Sequence, residues 1–217
     1  MRKPLCAILT DRPENNNMRE RKGTYSDELY DKIWKTKGAR FNAYERLRRR
    51  QKRSFYATGI LSAYLIIINL LQPFGLLTVP DDSSIISFIS VSLSIILLVF
   101  VTIENSAEYN LKGNNFHNCA KDLGRVFNDL HSLIERKVTD IKEYDIISNK
   151  YSEILDKYDN HSPIDYEVHK TKHKNDFKLN WLQKNWILFR ANYLIDLHYF
   201  AFIIVPPILF AIWIIKR

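Results

Sequence analysis

Residues 54–80 read SFYATGILSAYLIIINLLQPFGLLTVP, and residues 83–103 read SSIISFISVSLSIILLVFVTI. Neither segment contains a charged residue, and only Asp81 and Asp82 separate them. About 20 apolar residues of helix cross a hydrocarbon core that is about 30 Å thick, and both segments reach that length. Lipid offers no partner for exposed backbone N–H and C=O groups, so each segment is expected to be helical. The pair therefore predicts a transmembrane helical hairpin at 54–103.

The positive charge of the chain is concentrated just before this hairpin. The chain carries a net charge of +8, and residues 1–53 alone hold sixteen Lys and Arg against seven Asp and Glu. Short flanks rich in Lys and Arg stay in the cytoplasm, which predicts a cytoplasmic N-terminus and an outer turn at Asp81–Asp82. We interpret the six cations beside the first segment as contacts to anionic lipid headgroups and as the topology signal, with no direct nucleic-acid binding expected. They are Arg46, Arg48, Arg49, Arg50, Lys52 and Arg53.

The remaining segments predict helices, so the fold class is an all-α membrane protein with a cytoplasmic helical domain and a third, C-terminal membrane helix. A helix is expected to begin near Ser26, where a serine cap precedes acidic and apolar residues. A helix break is expected at Lys112–Asn115, where Gly and Asn cluster. The predicted organisation is a flexible lead at 1–24, a basic cytoplasmic helix at 25–53, the hairpin at 54–103, a cytoplasmic helical region at 104–176, and an amphipathic helix from Phe177 leading into a membrane segment at 177–217.

The C-terminal apolar stretch, 199–215, contains seventeen uncharged residues with Pro206 and Pro207 in its middle. Its length favours a third membrane helix, which would place the C-terminus outside. A re-entrant or interface-lying segment and a buried core helix stay open as alternatives. The aromatic residues before and within it are of the types that settle at membrane interfaces: Trp181, Trp186, Tyr193 and Tyr199.

Polar residues inside the two hairpin segments fall at helical spacing, so that each segment carries one polar stripe. The stripes can pack against each other across the hairpin, as small and polar residues do between membrane helices. They can also line a path for water, but two helices enclose no interior, so a pore requires several copies. No charged residue lies within either stripe, which argues against a proton relay. The members are Thr58, Ser62, Asn69 and Gln72 in the first segment and Ser83, Ser87, Ser90 and Ser94 in the second.

An apolar series with a period near 3.5 residues follows the hairpin. It can pack within the chain against the basic helix at 25–53, or it can join copies of the chain as an oligomer seam. The sequence alone leaves both alternatives open. The seam candidates are Phe116, Ala120, Leu123, Phe127, Leu130 and Ile134, and the series continues to Val138 and Ile141.

Catalytic motifs are missing from the sequence, which predicts that the chain is not an enzyme and needs no cofactor. It has no phosphate-binding glycine loop and no nucleophile in a recognisable context. His169 and His173 have the spacing of a zinc pair, but no Cys and no Glu general base accompanies them. The lysines around them oppose a cation, so no metal site is expected and we interpret this stretch as the solvated start of a polar helix.

Several short motifs, in a fixed order, resemble the SLATT domain, a family of bacterial two-transmembrane effectors. They span roughly residues 26–160, and their combination carries the resemblance more than any one of them. In chain order they are Thr36–Lys37–Gly38–Ala39–Arg40, Ala43, Arg46–Leu47, the basic run, the hairpin, Glu104 with Ala107–Glu108, and a long helix containing Ala120 and Leu123.

The resemblance implies a membrane effector of a bacterial antiphage defence system. Such an effector would sit in the inner membrane, oligomerise and permeabilise or depolarise that membrane, causing abortive infection. It implies a functional partner encoded nearby, either a nucleotide-generating enzyme as in CBASS or a reverse transcriptase as in retrons. It supplies no catalytic residues. Two other classes stay open: a non-toxic membrane anchor or scaffold that recruits a cytoplasmic partner, and a constitutive small channel subunit.

Overall fold

The structure, a computed structural model, describes residues 25–71, 83–173 and 176–215. All regular elements within these residues are helices, which confirms the all-α fold class. The predicted lead at 1–24, the Asp81–Asp82 turn and Gln72 lie outside the described residues. The helices are α1 (Tyr25–Leu71), α2 (Ser83–Ser106), α3 (Tyr109–Glu135), α4 (Ile141–Lys157), α5 (Pro163–Lys172), α6 (Trp181–Phe189) and α7 (Leu197–Ile215), with a π-helical turn at Arg190–Leu194 between the last two.

The chain divides into two compact units. The bundle unit contains the described residues of 25–48 and 110–192, and the hairpin unit contains those of 49–109 and 193–215. The helix α1 runs without a break for 47 residues and contributes to both units. The expected boundary at 53/54 is therefore not a break in the helix. The physical reason is that 25–71 contains no proline, and its run of Arg, Lys, Ala and Leu residues favours helix.

In the bundle unit, α1, α3 and α4 share one hydrophobic core. Its members are Leu29, Tyr30, Ile33, Trp34, Val126, Phe127, Leu130, Tyr144 and Ile147. The seam candidates from Phe116 to Leu130 are at most 9% exposed, and Ile134 packs against the core. The structure thus shows the intramolecular alternative. Because α1 already covers the seam, a second copy could reach it only by displacing α1.

The breaks around α3 differ from those expected. The chain leaves the helix at Ala107–Glu108, where Glu108 has a φ of 50°, while Gly113 lies inside α3. One glycine within a helix costs only about 1 kcal/mol, so it does not end a helix whose face is buried. At the far end, Lys137 has a φ of 55° and α4 begins only at Ile141, which is exposed. The part of the apolar series that lies on α3 therefore ends at Ile134.

The helix expected from Phe177 begins later, at Trp181. The side chain of Gln183 accepts a hydrogen bond from the backbone N–H of Asn180, at 3.1 Å, which caps the first turn of α6. Phe177 instead lies before the helix, stacked on Trp34 with ring centroids 6.3 Å apart. Phe177 thus packs against the core of the bundle unit and does not belong to α6.

In the hairpin unit, α1, α2 and α7 pack together. The Ser90 hydroxyl on α2 donates to the Asn69 amide oxygen on α1 at 2.7 Å. The rings of Phe100 on α2 and Phe202 on α7 meet edge to face, 4.8 Å apart. By length and composition, stretches within Tyr25–Leu71 and Ser87–Glu135 can each cross a membrane, and the bent pair Trp181–Leu194 and Leu197–Ile208 adds a third if it counts as one span.

The two prolines lie inside α7 and leave part of its backbone without helical partners. Pro207 has no N–H, so the carbonyl oxygen of Ile203, four residues earlier, lacks its usual donor. The hydroxyl of Tyr64 on α1 donates to that oxygen at 3.2 Å. Such a donor from a neighbouring helix is how proline is tolerated in a membrane helix. This contact also ties α7 to α1.

The outer surface of α7 argues against a buried core helix. Among its described side chains, Ile204, Val205 and Ile208 are exposed. Branched apolar side chains at successive turns would be unfavourable in water, and they suit lipid. The spanning and interface-lying alternatives for 199–215 are both compatible with this surface.

Candidate functional site

A network of buried acidic and partly buried basic side chains joins the three helices of the hairpin unit. Arg53 on α1 forms an ion pair with Asp196, and the Arg50 Nε lies 3.9 Å from the other oxygen of the same carboxylate. The Arg50 Nε also donates to the Tyr199 hydroxyl at 3.4 Å, and Tyr199 in turn donates to Glu104 on α2. We call Arg50, Arg53, Glu104, Asp196 and Tyr199 the charged network.

The spacing of these residues explains how three helices assemble the charged network. Arg50 and Arg53 are three apart on one face of α1. Asp196 directly precedes α7, and Tyr199 lies in the first turn of that helix. Asp196 is only 3% exposed, and Glu104 is also buried. Two cations face two carboxylates, so the network has no formal net charge. Pairing of this kind is what makes buried charges tolerable.

The six basic residues beside the hairpin therefore do not share one role. Arg50 and Arg53 bind a carboxylate in the hairpin unit, and Arg46 binds Asp165 in the bundle unit with N–O distances of 2.8 and 3.0 Å. These three arginines thus each have a carboxylate partner within the chain, and their contact with headgroups stays a prediction. Arg48 and Lys52 are exposed and keep that role as a proposal.

The two polar stripes meet at one described pair, Asn69 and Ser90. Ser90 is buried, and the Asn69 amide nitrogen donates to the Leu65 carbonyl on its own helix. The hydroxyls of Thr58, Ser62 and Ser94 each donate to a carbonyl four residues earlier on their own helices. Ser87 is exposed on the surface of α2, whereas the side chain of Ser83 lies outside the described part. Within one chain, the contact between Asn69 and Ser90 favours packing.

The segment Thr36–Arg40 lies at the centre of the bundle unit, and each of its polar side chains has a specific contact. The Thr36 hydroxyl is 2.9 Å from the Tyr151 hydroxyl, and the Lys37 ammonium lies 4.0 Å from the ring centre of Phe127. Arg40 donates to the Asn160 side chain at 3.2 Å. These contacts connect α1 to α3, α4 and the loop before α5. The motif is thus structural in character.

Gly38 in the same segment is the contact point for α5. A Cβ placed on Gly38 would lie 2.1 Å from the Nδ1 of His169, so only glycine leaves room for this ring. His169 is fully buried, with its ring 4.7 Å from that of Trp34. The expectation of a solvated helix start at His169 is therefore wrong. The His173 ring lies 4.3 Å away, but across the described residues no three or more His, Cys, Asp or Glu cluster as a metal site would require.

Hydrogen bonds around Asp165 fix α5 to α1. Besides the ion pair with Arg46, the Asp165 carbonyl accepts from the Asn42 side chain at 3.0 Å. Lys172 donates to the Asn42 amide oxygen at 2.7 Å. The Asp165 carboxylate also accepts the backbone N–H of Ser162, which caps α5. The start and the end of α5 are therefore both bound to α1.

Burial changes the pKa of two groups on this interface. It lowers the pKa of Lys37 to about 8. It also lowers the pKa of His169 to about 3, and the neighbouring His173, Lys172, Lys35 and Lys37 act in the same direction. At neutral pH His169 is therefore an uncharged ring, which suits its contact with Trp34.

We expect the bundle unit to lose stability as the pH falls from about 6.5 towards 3. In this window the unfolded chain takes up a proton on His169 and the folded chain does not, so the free energy of unfolding falls with pH. Thermal unfolding of the purified chain in detergent, followed by near-UV circular dichroism at pH 7 and pH 5, measures this. The variant His169→Phe should show a weaker pH dependence, whereas His131→Gln should retain it. Equal pH dependence in His169→Phe and the parent chain would contradict the assignment.

Sequence reasoning missed the acidic half of the charged network. Asp196 is the only acidic residue after Asp176, and it stands between apolar residues. A lone acid in such surroundings, opposite a cluster of arginines near another apolar segment, is the available signal. In the sequence, Glu104 belongs to the motifs that resemble the SLATT domain, and Tyr199 is one of the aromatic residues typical of a membrane interface. Neither observation predicts that they meet.

The fold and this site define a class of protein: a membrane protein in which an apolar helical hairpin is continuous with a helical bundle. Residues 22–213 match the model of the SMODS and SLOG-associating 2TM effector domain family 5, and the chain belongs to that family. This match confirms the resemblance to SLATT domains and the two-transmembrane character, and it describes a membrane effector domain. Neither a curated protein nor a solved structure matches the chain.

Proposed function

We propose that the chain is the membrane effector of a bacterial antiphage defence system. In its active state several copies permeabilise or depolarise the inner membrane, and the infected cell stops growing. The N-terminal side and the bundle unit lie in the cytoplasm. The trigger comes from a partner of the SMODS or SLOG kind that the family description names, or from a nucleotide-generating enzyme or reverse transcriptase encoded nearby.

The observation that carries this proposal is the shared helix α1. One uninterrupted helix holds the core of the bundle unit and also a membrane-crossing stretch of the hairpin unit. A partner that alters the bundle unit therefore acts on a helix that also contains a stretch able to cross the membrane. An anchor or scaffold would need no such element, because a flexible linker would serve it equally well.

Assembly of copies would involve the hairpin unit rather than the apolar seam of α3. The seam is covered by α1, whereas α2 exposes Phe88, Val91 and Leu98 along its length. Membrane helices associate through packing and hydrogen bonds between them. Substitutions in the seam would unfold the bundle unit, so they cannot report on assembly. The hairpin unit offers variants that keep the fold.

The test is the membrane potential of bacteria that carry an inducible copy of the chain. We expect depolarisation, read with a potential-sensitive dye, together with growth arrest, either on induction alone or after phage challenge with the neighbouring genes present. A harmless, steady ion flux would favour the constitutive channel. Unchanged potential under both conditions, with the chain present in the membrane, would contradict the proposal and favour the scaffold.

The double variant Asn69→Leu/Ser90→Ala tests whether the polar stripe takes part. It replaces both partners of the 2.7 Å hydrogen bond by apolar groups, a change that is often nearly neutral for stability. We expect weaker depolarisation at an equal amount of protein in the membrane, because the path through an assembly would lose polar groups. Ser152→Ala, an exposed position in the bundle unit, is the control. Full depolarisation in the double variant would assign the pair to packing alone.

A further inference from the structure

Helix α6 presents an apolar, aromatic surface to its surroundings. Trp181, Leu182, Trp186 and Phe189 are 74%, 71%, 56% and 48% exposed. Their spacing of one, four and three residues places them on one side of the helix. We call these four residues the aromatic face. Two exposed tryptophans and a leucine on nine residues of helix are costly in water.

The opposite side of α6 is already occupied within the bundle unit. Helix α6 packs against α5, Ile187 and Leu188 are half-buried, and Ala191 in the following turn is buried. Arg190 forms an ion pair with Glu167 on α5. Helix α6 therefore cannot rotate to bury its aromatic face in the bundle unit without losing these contacts.

In the sequence, exposed apolar residues also follow α6. Tyr193, Leu194 and Leu197 are each about half exposed, and α7 is an apolar helix. The charges point the same way, since 177–195 contains no acidic residue and holds Lys178 and Lys184 besides Arg190, which is paired with Glu167. A cationic segment with exposed tryptophans fits the headgroup region of an anionic bilayer, where indole rings settle and basic residues are attracted.

We propose that α6 lies in the plane of the membrane and inserts its aromatic face into the headgroup layer, at a depth of about 5–10 Å. In this position α6 anchors the bundle unit to the lipid surface. The inference is independent of whether the chain opens a pore, so it can fail while the proposed effector function holds. The occupant is lipid, rather than a second copy or another protein.

Tryptophan fluorescence in vesicles tests this placement in the full-length chain. The parent for the experiment is Trp213→Phe, which leaves Trp34, Trp181 and Trp186. Trp34 is only 1% exposed, so it serves as an internal reference beyond the reach of quenchers. The matched control adds Trp181→Phe and Trp186→Phe, which removes both α6 indoles and keeps the face apolar. The difference between the two proteins is the signal of the aromatic face.

The vesicles contain phosphatidylcholine and phosphatidylglycerol whose acyl chains carry bromine either near the headgroup or near the bilayer centre. We expect the α6 signal to be quenched more by shallow than by deep bromine, to be shielded from aqueous iodide, and to vanish in the control. Quenching by iodide and by neither bromine would place the face in water and overturn the proposal. A signal that none of the quenchers reaches would place the face against protein, which overturns it equally. Stronger quenching by deep bromine would make α6 part of a membrane span.

Discussion

Replacing Gly38 with alanine is expected to destabilise the bundle unit by at least about 3 kcal/mol, the upper end of the usual cost of overpacking. The added Cβ would lie 2.1 Å from the Nδ1 and 2.3 Å from the Cε1 of His169. The buried ring cannot turn away, because Trp34 lies against it. Helix α5 would have to move as a whole, and the Arg46–Asp165 ion pair would be strained with it.

The same substitution at Gly124 provides the control for Gly38→Ala. A Cβ on Gly124 would meet only the Lys37 Cδ at 4.0 Å, an ordinary contact, so Gly124→Ala should be neutral or stabilising by up to about 1 kcal/mol. Thermal unfolding in detergent compares the two. Adding His169→Ala to Gly38→Ala removes the ring and should recover part of the loss. If Gly38→Ala unfolds at the same temperature as Gly124→Ala, the close packing of α5 on α1 is wrong.

The hairpin could be predicted from the sequence because lipid imposes a simple rule. A charge-free run of sufficient length must be helical when it is placed in hydrocarbon, whatever its neighbours are. No comparable rule predicts where the helices break. The Gly and Asn at 113–115 looked like a break, yet the true break falls at Glu108, a residue that carries no turn signal. Packing of α3 decides this, and packing is not visible in a local window.

The apolar series of α3 shows a second kind of limit. Its members from Phe116 to Ile134 lie on the buried face of α3, whereas Val138 and Ile141 do not belong to it. A period near 3.5 is also the same for packing against a helix of the same chain and against one of a second chain. The partner is Leu29 to Trp34 on α1, which lies far away in the sequence. Likewise, the sequence shows Gly38 only as part of a motif. The need for glycine at this position comes from its contact with the His169 ring. Only the three-dimensional structure joins such pairs.

Of the charged network, the sequence pattern singles out the two arginines but not Asp196. Arginines next to a membrane segment predict headgroup contacts from the positive-inside rule, and that rule does not consider an acid elsewhere in the chain. Asp196 is 143 residues from Arg53. The two meet because α7 returns along α1 in the hairpin unit, fixed there by the Tyr64–Ile203 hydrogen bond.

Replacing Asp196 with asparagine is expected to loosen α7 from the hairpin unit. The amide keeps the shape of the side chain but leaves Arg50 and Arg53 without the carboxylate they share. Removing one partner of a fully buried ion pair typically costs about 3–5 kcal/mol. The loss is expected at the lower end of that range, because the Arg50 and Arg53 side chains are about a quarter exposed. We expect a lower unfolding temperature in detergent. If the charged network holds the effector at rest, we also expect depolarisation at lower inducer levels.

Two further variants separate the role of this network from a general effect of lost charge. Asp129→Asn breaks the exposed ion pair with Lys150, in which the N–O distance is 3.9 Å, the same as between Arg50 and Asp196. This substitution should cost less than about 1 kcal/mol. Combining Asp196→Asn with Arg53→Gln removes one of the stranded cations, so the double variant should be more stable than Asp196→Asn alone. Equal losses for Asp196→Asn and Asp129→Asn would show that burial adds nothing. A double variant no more stable than the single one would show that Arg53 is not the partner that matters, and would leave Arg50 and Tyr199 to hold the carboxylate.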